Sequence, residues 1–169
     1  MKLAYRQLSK TASLHRGFTL LEVLIAIVVL SIGLLGLAGL QAAGLRSNNG
    51  AYMRTMATQQ AYDMADRMRA NPEAVGTGAY AGAAGTATPA CLTSTGCSAT
   101  ALAAHDIFEW NAVNANILPS GKGTIAASGV AGRFIITVRW DETRTGATGT
   151  GCGSNLTVDL TCFTMEFTP

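Results

Sequence analysis

From Phe18 to Leu45 the only strongly polar residues are Glu22 and Gln41, and this apolar run constrains the fold more than any other feature. As a helix it is about 42 Å long, ample for a bilayer that needs roughly 20 residues, so it is expected to span one. Lys2, Arg6, Lys10 and Arg16 precede it with no acidic residue among them. By the positive-inside bias this leader holds the N-terminus in the cytoplasm and sends Arg46 onward across the membrane. A bacterial inner membrane, crossed once, with a periplasmic C-terminal domain fits best.

Glu22 needs a physical reason, because a carboxylate well inside an apolar helix costs roughly 2.5–3.5 kcal/mol, and less near the interface. Two readings stand. The side chain snorkels to interfacial water, or it pairs with an ammonium. If Gly17 is removed, the new amine on Phe18 lies about one helical turn from Glu22, within reach in the same chain or a neighbour.

Gly17-Phe18-Thr19-Leu20-Leu21-Glu22 followed by an apolar helix resembles the class III leader of type IV pilins and type II secretion pseudopilins. The resemblance implies cleavage between Gly17 and Phe18 and N-methylation of Phe18 by a prepilin peptidase. It also implies that Phe18 and Glu22 guide docking of subunits in a growing fibre. Many pilins carry a helix-breaking proline in the anchor; none occurs here between Phe18 and Asn71. Gly33, Gly36, Gly39 and Gly44 would have to serve any local melting, each weakening an exposed helix by about 1 kcal/mol relative to alanine. They either allow close helix approach or simply tolerate lipid.

The 169 residues suit one small domain plus an anchor. The formal charge of +2 belongs to the leader: four of twelve basic residues lie there, and the remaining eight are outnumbered by ten acids. No general attraction to nucleic acid or anionic lipid follows from such a balance. Cys91, Cys97, Cys152 and Cys162 fall on the expected periplasmic side, where disulfides persist. Of the three connectivities open to four cysteines, the local pairs Cys91-Cys97 and Cys152-Cys162 are preferred, since each closes a short segment rich in turn formers or bounded by a hairpin. Neither spacing matches close zinc-ligand spacing, and no histidine is nearby.

Beyond the anchor, Tyr52, Met56, Ala57, Gln60, Ala61, Met64, Ala65 and Met68 recur at near-helical spacing, with Arg54, Asp63, Arg67 and Arg69 as polar edges. One helix is expected to continue to Asn71, where Pro72 stops it. Residues 74–104 contain no charged side chain and read as a loop pinned by Cys91 and Cys97, a contact surface or a plain connection. A second helix is expected over residues 106–118, with Ile107, Trp110, Val113 and Ile117 on its covered face. Phe134–Trp140 is the clearest strand, and residues 156–167 supply one or two more. The expected class is α+β, a long N-terminal helix laid on a small antiparallel sheet. The organisation is a leader (1–17), a transmembrane and assembly helix (18–45), its amphipathic continuation (46–71) and a periplasmic head (72–169).

The segment Met64-Ala65-Asp66-Arg67-Met68-Arg69-Ala70-Asn71, the helix with Asp106 and Trp110, the Leu118-Pro119-Ser120-Gly121-Lys122-Gly123 turn and the Phe134–Trp140 strand narrow the resemblance to a PilV-type minor pilin.

Enzyme chemistry finds no convergent set. His105 is the one histidine after the leader, and the adjacent Asp106 does not share its helix face. No G-x-S-x-G motif accompanies it, so His105 reads as an exposed residue at a helix start. Asp141 and Glu142 read as a solvated turn rather than a catalytic or calcium pair, Gly121-Lys122-Gly123 as a turn rather than a phosphate loop, and Asn155-Leu156-Thr157 as a chance glycosylation triplet. Arg46, Arg54, Arg67 and Arg69 are interleaved with acids and form no nucleic-acid stripe. Neither a metal nor a cofactor is expected. The resemblance implies a structural subunit that primes or regulates assembly of a type IV pilus. Its implied partners are other minor pilins, the major pilin, the prepilin peptidase and the inner-membrane assembly platform. The alternatives are a type II secretion pseudopilin and a DNA-uptake pilus subunit.

Overall fold

The computed structural model describes residues 17–130 and 132–169; the basic leader up to Arg16 lies outside the described residues. The chain divides into two compact units, Met1–Leu45 and Arg46–Pro169. Helix α1 (Leu20–Ala70) contributes to both, followed by α2 (Pro72–Gly76), a 3-10 turn (Pro89–Leu92), α3 (Ala99–Ile117) and the strands β1 (Lys122–Ala127), β2 (Phe134–Trp140) and β3 (Thr161–Phe167). The result is α+β: a long N-terminal helix packed on a three-stranded antiparallel sheet of order β1-β2-β3.

In the first unit the helix is apolar and uncovered. Its most apolar window has a mean hydropathy of 2.8, and none of it is buried within the chain. By length and composition this helix is able to cross a membrane.

In the second unit α1 buries Met53, Ala57, Ala61, Met64, Ala65 and Met68. Ala57, Ala61 and Ala65 recur every fourth residue, a narrow stripe that lets neighbouring elements approach closely, and the flexible methionines fill the gaps beside it. The expected face is corrected at its start, where Met53 turns inward and Tyr52 stays exposed. The same core takes Ile107 and Trp110 from α3 and Ile125, Phe134, Ile136, Val138, Trp140 and Phe167 from the sheet. Each large apolar side chain buried in it contributes roughly 1.5–3 kcal/mol. Trp110 also donates its indole N–H to the Gln60 carbonyl at 2.8 Å, which ties α3 directly to α1.

Pro72 does end α1, and the chain then begins another helix. Asn71 caps α2 with its side-chain oxygen on the Ala74 N–H, and Pro72 occupies the first turn, where its missing N–H costs nothing. Helix α3 starts at Ala99, seven residues before its expected start, with the Ser98 hydroxyl accepting from the Ala101 N–H. The residues 99–104 are mostly alanine and carry no charge, so composition alone resembles a loop. The expected covered face also shifts: Ala103, Ile107, Trp110 and Asn114 turn inward, while Val113 and Ile117 remain partly exposed at its edge.

Strand β2 pairs in continuous register on both sides, from Phe134 opposite Phe167 to Trp140 opposite Thr161, and from Phe134 opposite Ala127 to Arg139 opposite Lys122. The expected last strand begins at Thr161, leaving Leu156 and Val158 exposed in the preceding loop. Strand β1 includes Lys122 and Gly123, which the sequence suggests as a turn. Gly123 lies against the Trp110 ring, where a Cβ has no room, and its N–H donates to the Asn111 side chain at 2.7 Å.

Candidate functional site

The first turn of α1 is organised by Thr19. Its carbonyl accepts from the Glu22 and Val23 N–H groups at 3.0 and 3.3 Å, and its hydroxyl accepts from the Glu22 N–H at 3.2 Å. This is half of a capping box, the Thr-x-x-Glu arrangement in which the cap satisfies a donor that the helix itself cannot. The pattern is readable in the sequence, yet attention to Glu22 as a charge passes over Thr19 as the residue that positions it. The Glu22 carboxylate takes no hydrogen bond and no ion pair among the described residues. Gly17 and Phe18 precede the helix and are exposed. Phe18, Glu22, Val23, Ala26, Ile27 and Leu30 line one shallow groove along the helix, apolar apart from that carboxylate. A helix end so arranged offers an apolar face and one acceptor-only charge to another helix.

A second cluster joins α1 to the chain that follows it. Arg67 binds Asp63 at 3.0 Å, Glu109 at 3.1 Å and Asp106 at 3.4 Å. The other oxygen of Asp106 accepts the Tyr80 hydroxyl at 2.7 Å, and Tyr80 in turn accepts from the Asn71 amide at 3.3 Å. Burial works against the Arg67 charge, but the bonds to Glu109 and Asp63 and the negative field of Asp63 and Asp106 outweigh it and raise its pKa. Burial, then the hydrogen bond to Asp106, pushes the Tyr80 phenol well above its ordinary value of 10.0. The sequence marks Arg67 and Asp63 as polar edges of the helix and Asp106 only as part of the resemblance and a neighbour of His105, with no link between them. Tyr80, the one aromatic residue in the charge-free stretch, is the signal that points to this cluster.

His105 is buried rather than exposed, because the earlier helix start puts it a turn and a half inside α3. Its Nδ1 accepts from the Thr88 N–H at 3.1 Å, which holds the loop onto the helix. Its Nε2 lies 3.4 Å from Glu109, near enough for an ion pair on protonation but without a formed hydrogen bond. No nucleophile joins them among the described residues.

Asp141 is likewise buried and accepts from the Thr145 and Gly146 N–H groups at 3.2 and 2.7 Å, so the expected solvated turn is an internally capped one. Burial acts to raise its pKa, and the converging N–H groups of Gly146, Thr145, Ala147 and Arg144 overcome it and hold the carboxyl below its ordinary value. Asp159, held by the Gly151 N–H and the Ser154 hydroxyl, is also shifted down. Disulfides join Cys91 to Cys97 and Cys152 to Cys162, the second tying the loop before β3 to the strand itself. The Asn155 side chain accepts from the N–H and hydroxyl of Thr157 and so closes a local turn. No group of three potential metal ligands occurs among the described residues.

Two family models match the chain. Residues 13–38 match the prokaryotic N-terminal methylation motif, which covers the capped turn at Thr19 and Glu22. Residues 39–108 match the family described as Type IV pilin Tt1218, which covers the rest of α1 and most of the Arg67, Tyr80 and Asp106 cluster. The chain is type IV pilin-like. No curated protein and no solved structure matches it. An uncovered apolar helix behind this leader motif fits a membrane-anchored pilin, and the pilin family is in general structural rather than enzymatic.

Proposed function

We propose that this pilin is a PilV-type minor pilin, a non-enzymatic subunit stored in the bacterial inner membrane with its head in the periplasm. Prepilin peptidase cleaves after Gly17 and methylates Phe18, and the assembly platform then passes the subunit into a type IV pilus. There it primes or regulates growth beside other minor pilins and the major pilin.

The observation that carries this reading is the pairing of an uncovered apolar helix with a Glu22 carboxylate in its first turn that takes no partner among the described residues. Moving that helix from lipid to a bundle of like helices exchanges one apolar setting for another, so the net gain is small. A single charge pair, between Glu22 and a newly freed Phe18 amine, is then enough to select the neighbour. The head supports the same reading: its buried Asn71, Tyr80 and Asp106 bind one another, and Asp141 organises a loop.

The test is deletion of the gene with recovery and mass analysis of fibres. Loss of surface pili and twitching motility, with this chain found in purified pili, is the expected result. Intact pili with loss of exported enzymes would instead assign a type II secretion pseudopilin, and salt-sensitive DNA binding would assign a DNA-uptake subunit.

A further inference from the structure

One groove of the second unit takes no part in the clusters described above. This groove of roughly 920 Å³, within the range of small-ligand clefts at about 300–1,000 Å³, is lined by Arg46, Arg54, Arg144, Glu142 and Thr161 and bordered by the Cys152-Cys162 bond. Arg54 lies 3.7 Å from Glu142, the one acid lining the groove, whereas Arg46 and Arg144 are exposed and form no ion pair among the described residues. The Thr161 side chain is more than nine-tenths buried, and its hydroxyl has no hydrogen-bond partner among the described residues.

Arg144 is held in place by a specific device. Its φ is 55°, a left-handed conformation that disfavours a side chain. The turn that imposes it is fixed by the buried Asp141, whose carbonyl accepts the Arg144 N–H at 3.3 Å and whose carboxylate accepts the next two N–H groups. Arg46 directly follows Leu45, the end of the apolar run. An anchor of about 42 Å matches a bilayer of roughly 40–45 Å with its headgroups, so Arg46 emerges at headgroup level.

We propose that this groove binds the phosphate of an anionic phospholipid in the outer leaflet of the membrane that holds the anchor, with Arg46 and Arg144 as its charge partners and the Thr161 hydroxyl as a further donor. Guanidinium groups suit phosphate through paired N–H bonds. This inference rests on the membrane-stored reading above and adds a reason for the head to stay on the bilayer until assembly: the phosphate is released only when the subunit leaves the lipid.

The full-length chain is reconstituted in phosphatidylcholine vesicles and in vesicles with added phosphatidylglycerol. Flotation reports insertion, and amide hydrogen exchange reports residues 142–156. The expected result is insertion in both, with exchange in that segment about twenty-five-fold slower over phosphatidylglycerol, roughly fivefold for each of the two arginines near an anionic surface. The protection disappears at high salt and in Arg46→Gln/Arg144→Gln, while Arg133→Gln keeps it; unchanged exchange in β2 verifies that each variant is folded. Insertion without lipid-dependent protection overturns the headgroup site and leaves the anchor intact. Failure to insert overturns both. Equal protection by inorganic phosphate in detergent assigns a soluble anion instead, and protection that grows with protein concentration in lipid-free detergent assigns a contact between copies; either result overturns the proposal.

Discussion

Tyr80 donates its hydroxyl to the Asp106 carboxylate at 2.7 Å, so the chain that leaves α2 is fastened to the middle of α3. Tyr80→Phe removes the donor and leaves a buried oxygen of Asp106 short of a partner, at a cost of roughly 1–3 kcal/mol in chemical unfolding. The phenol's pKa is raised in the fold, so its contribution is complete below the ordinary value of 10.0 and is lost as pH rises beyond it. Stability of the parent protein is expected to fall with pH above about 10, and that slope should be shallower in Tyr80→Phe.

The carboxyl of Asp141 behaves in the opposite sense. Its folded pKa is depressed, so its contribution is present above the ordinary value of 3.8 and is lost as pH falls below it. Asp141→Asn is expected to lower the melting temperature by roughly a few degrees at neutral pH. The gap from the parent narrows progressively in acid below that value, which thermal melts in a pH series will show.

Gly123 faces the Trp110 ring with no space for a methyl group. Gly123→Ala must push the indole or β1 away, and overpacking of this kind costs about 1–3 kcal/mol. The indole bond to the Gln60 carbonyl will loosen as well, so a red shift of tryptophan emission should accompany the lower unfolding midpoint. An unshifted spectrum with unchanged stability would mean that Trp110 does not seat against β1.

What the sequence made legible follows from which signals are local. The apolar run, the Pro72 stop and strand β2 are each written in adjacent residues, and each occurs where its pattern predicts. Strand β1 was hidden because Gly123-Thr124-Ile125-Ala126-Ala127 has little intrinsic strand character and is fixed by pairing to β2. The first two turns of α3 were hidden because alanine marks a helix face too weakly to be told from a small-residue loop. Arg67, Tyr80 and Asp106 are ordinary polar residues until the fold brings them together across tens of positions. At the helix start the Gly17 to Glu22 pattern was legible, and the Thr-x-x-Glu spacing of the cap with it, whereas the bonds that Thr19 makes came only with the backbone.

Thr19 and Glu22 separate positioning from charge. Thr19→Ala removes the cap and is expected to weaken the first turn by about 1 kcal/mol while leaving the carboxylate available. Glu22→Ala should insert into the membrane as well as the parent, yet its incorporation into fibres should fall about tenfold, the equivalent of roughly 1.4 kcal/mol of lost pairing. Quantitative mass analysis of purified pili, in cells lacking the native copy, checks both. Equal incorporation of Glu22→Ala would remove the charge from subunit selection.

The most direct measurement is the intact mass and N-terminal peptide of the chain recovered from functioning fibres. A mature protein that starts at methylated Phe18, with Gly17 and everything before it gone, is the predicted result. A working subunit that retains Lys2 through Gly17, or one cut well inside the apolar run, would contradict the account, because the amine proposed to meet Glu22 would then not exist at that position.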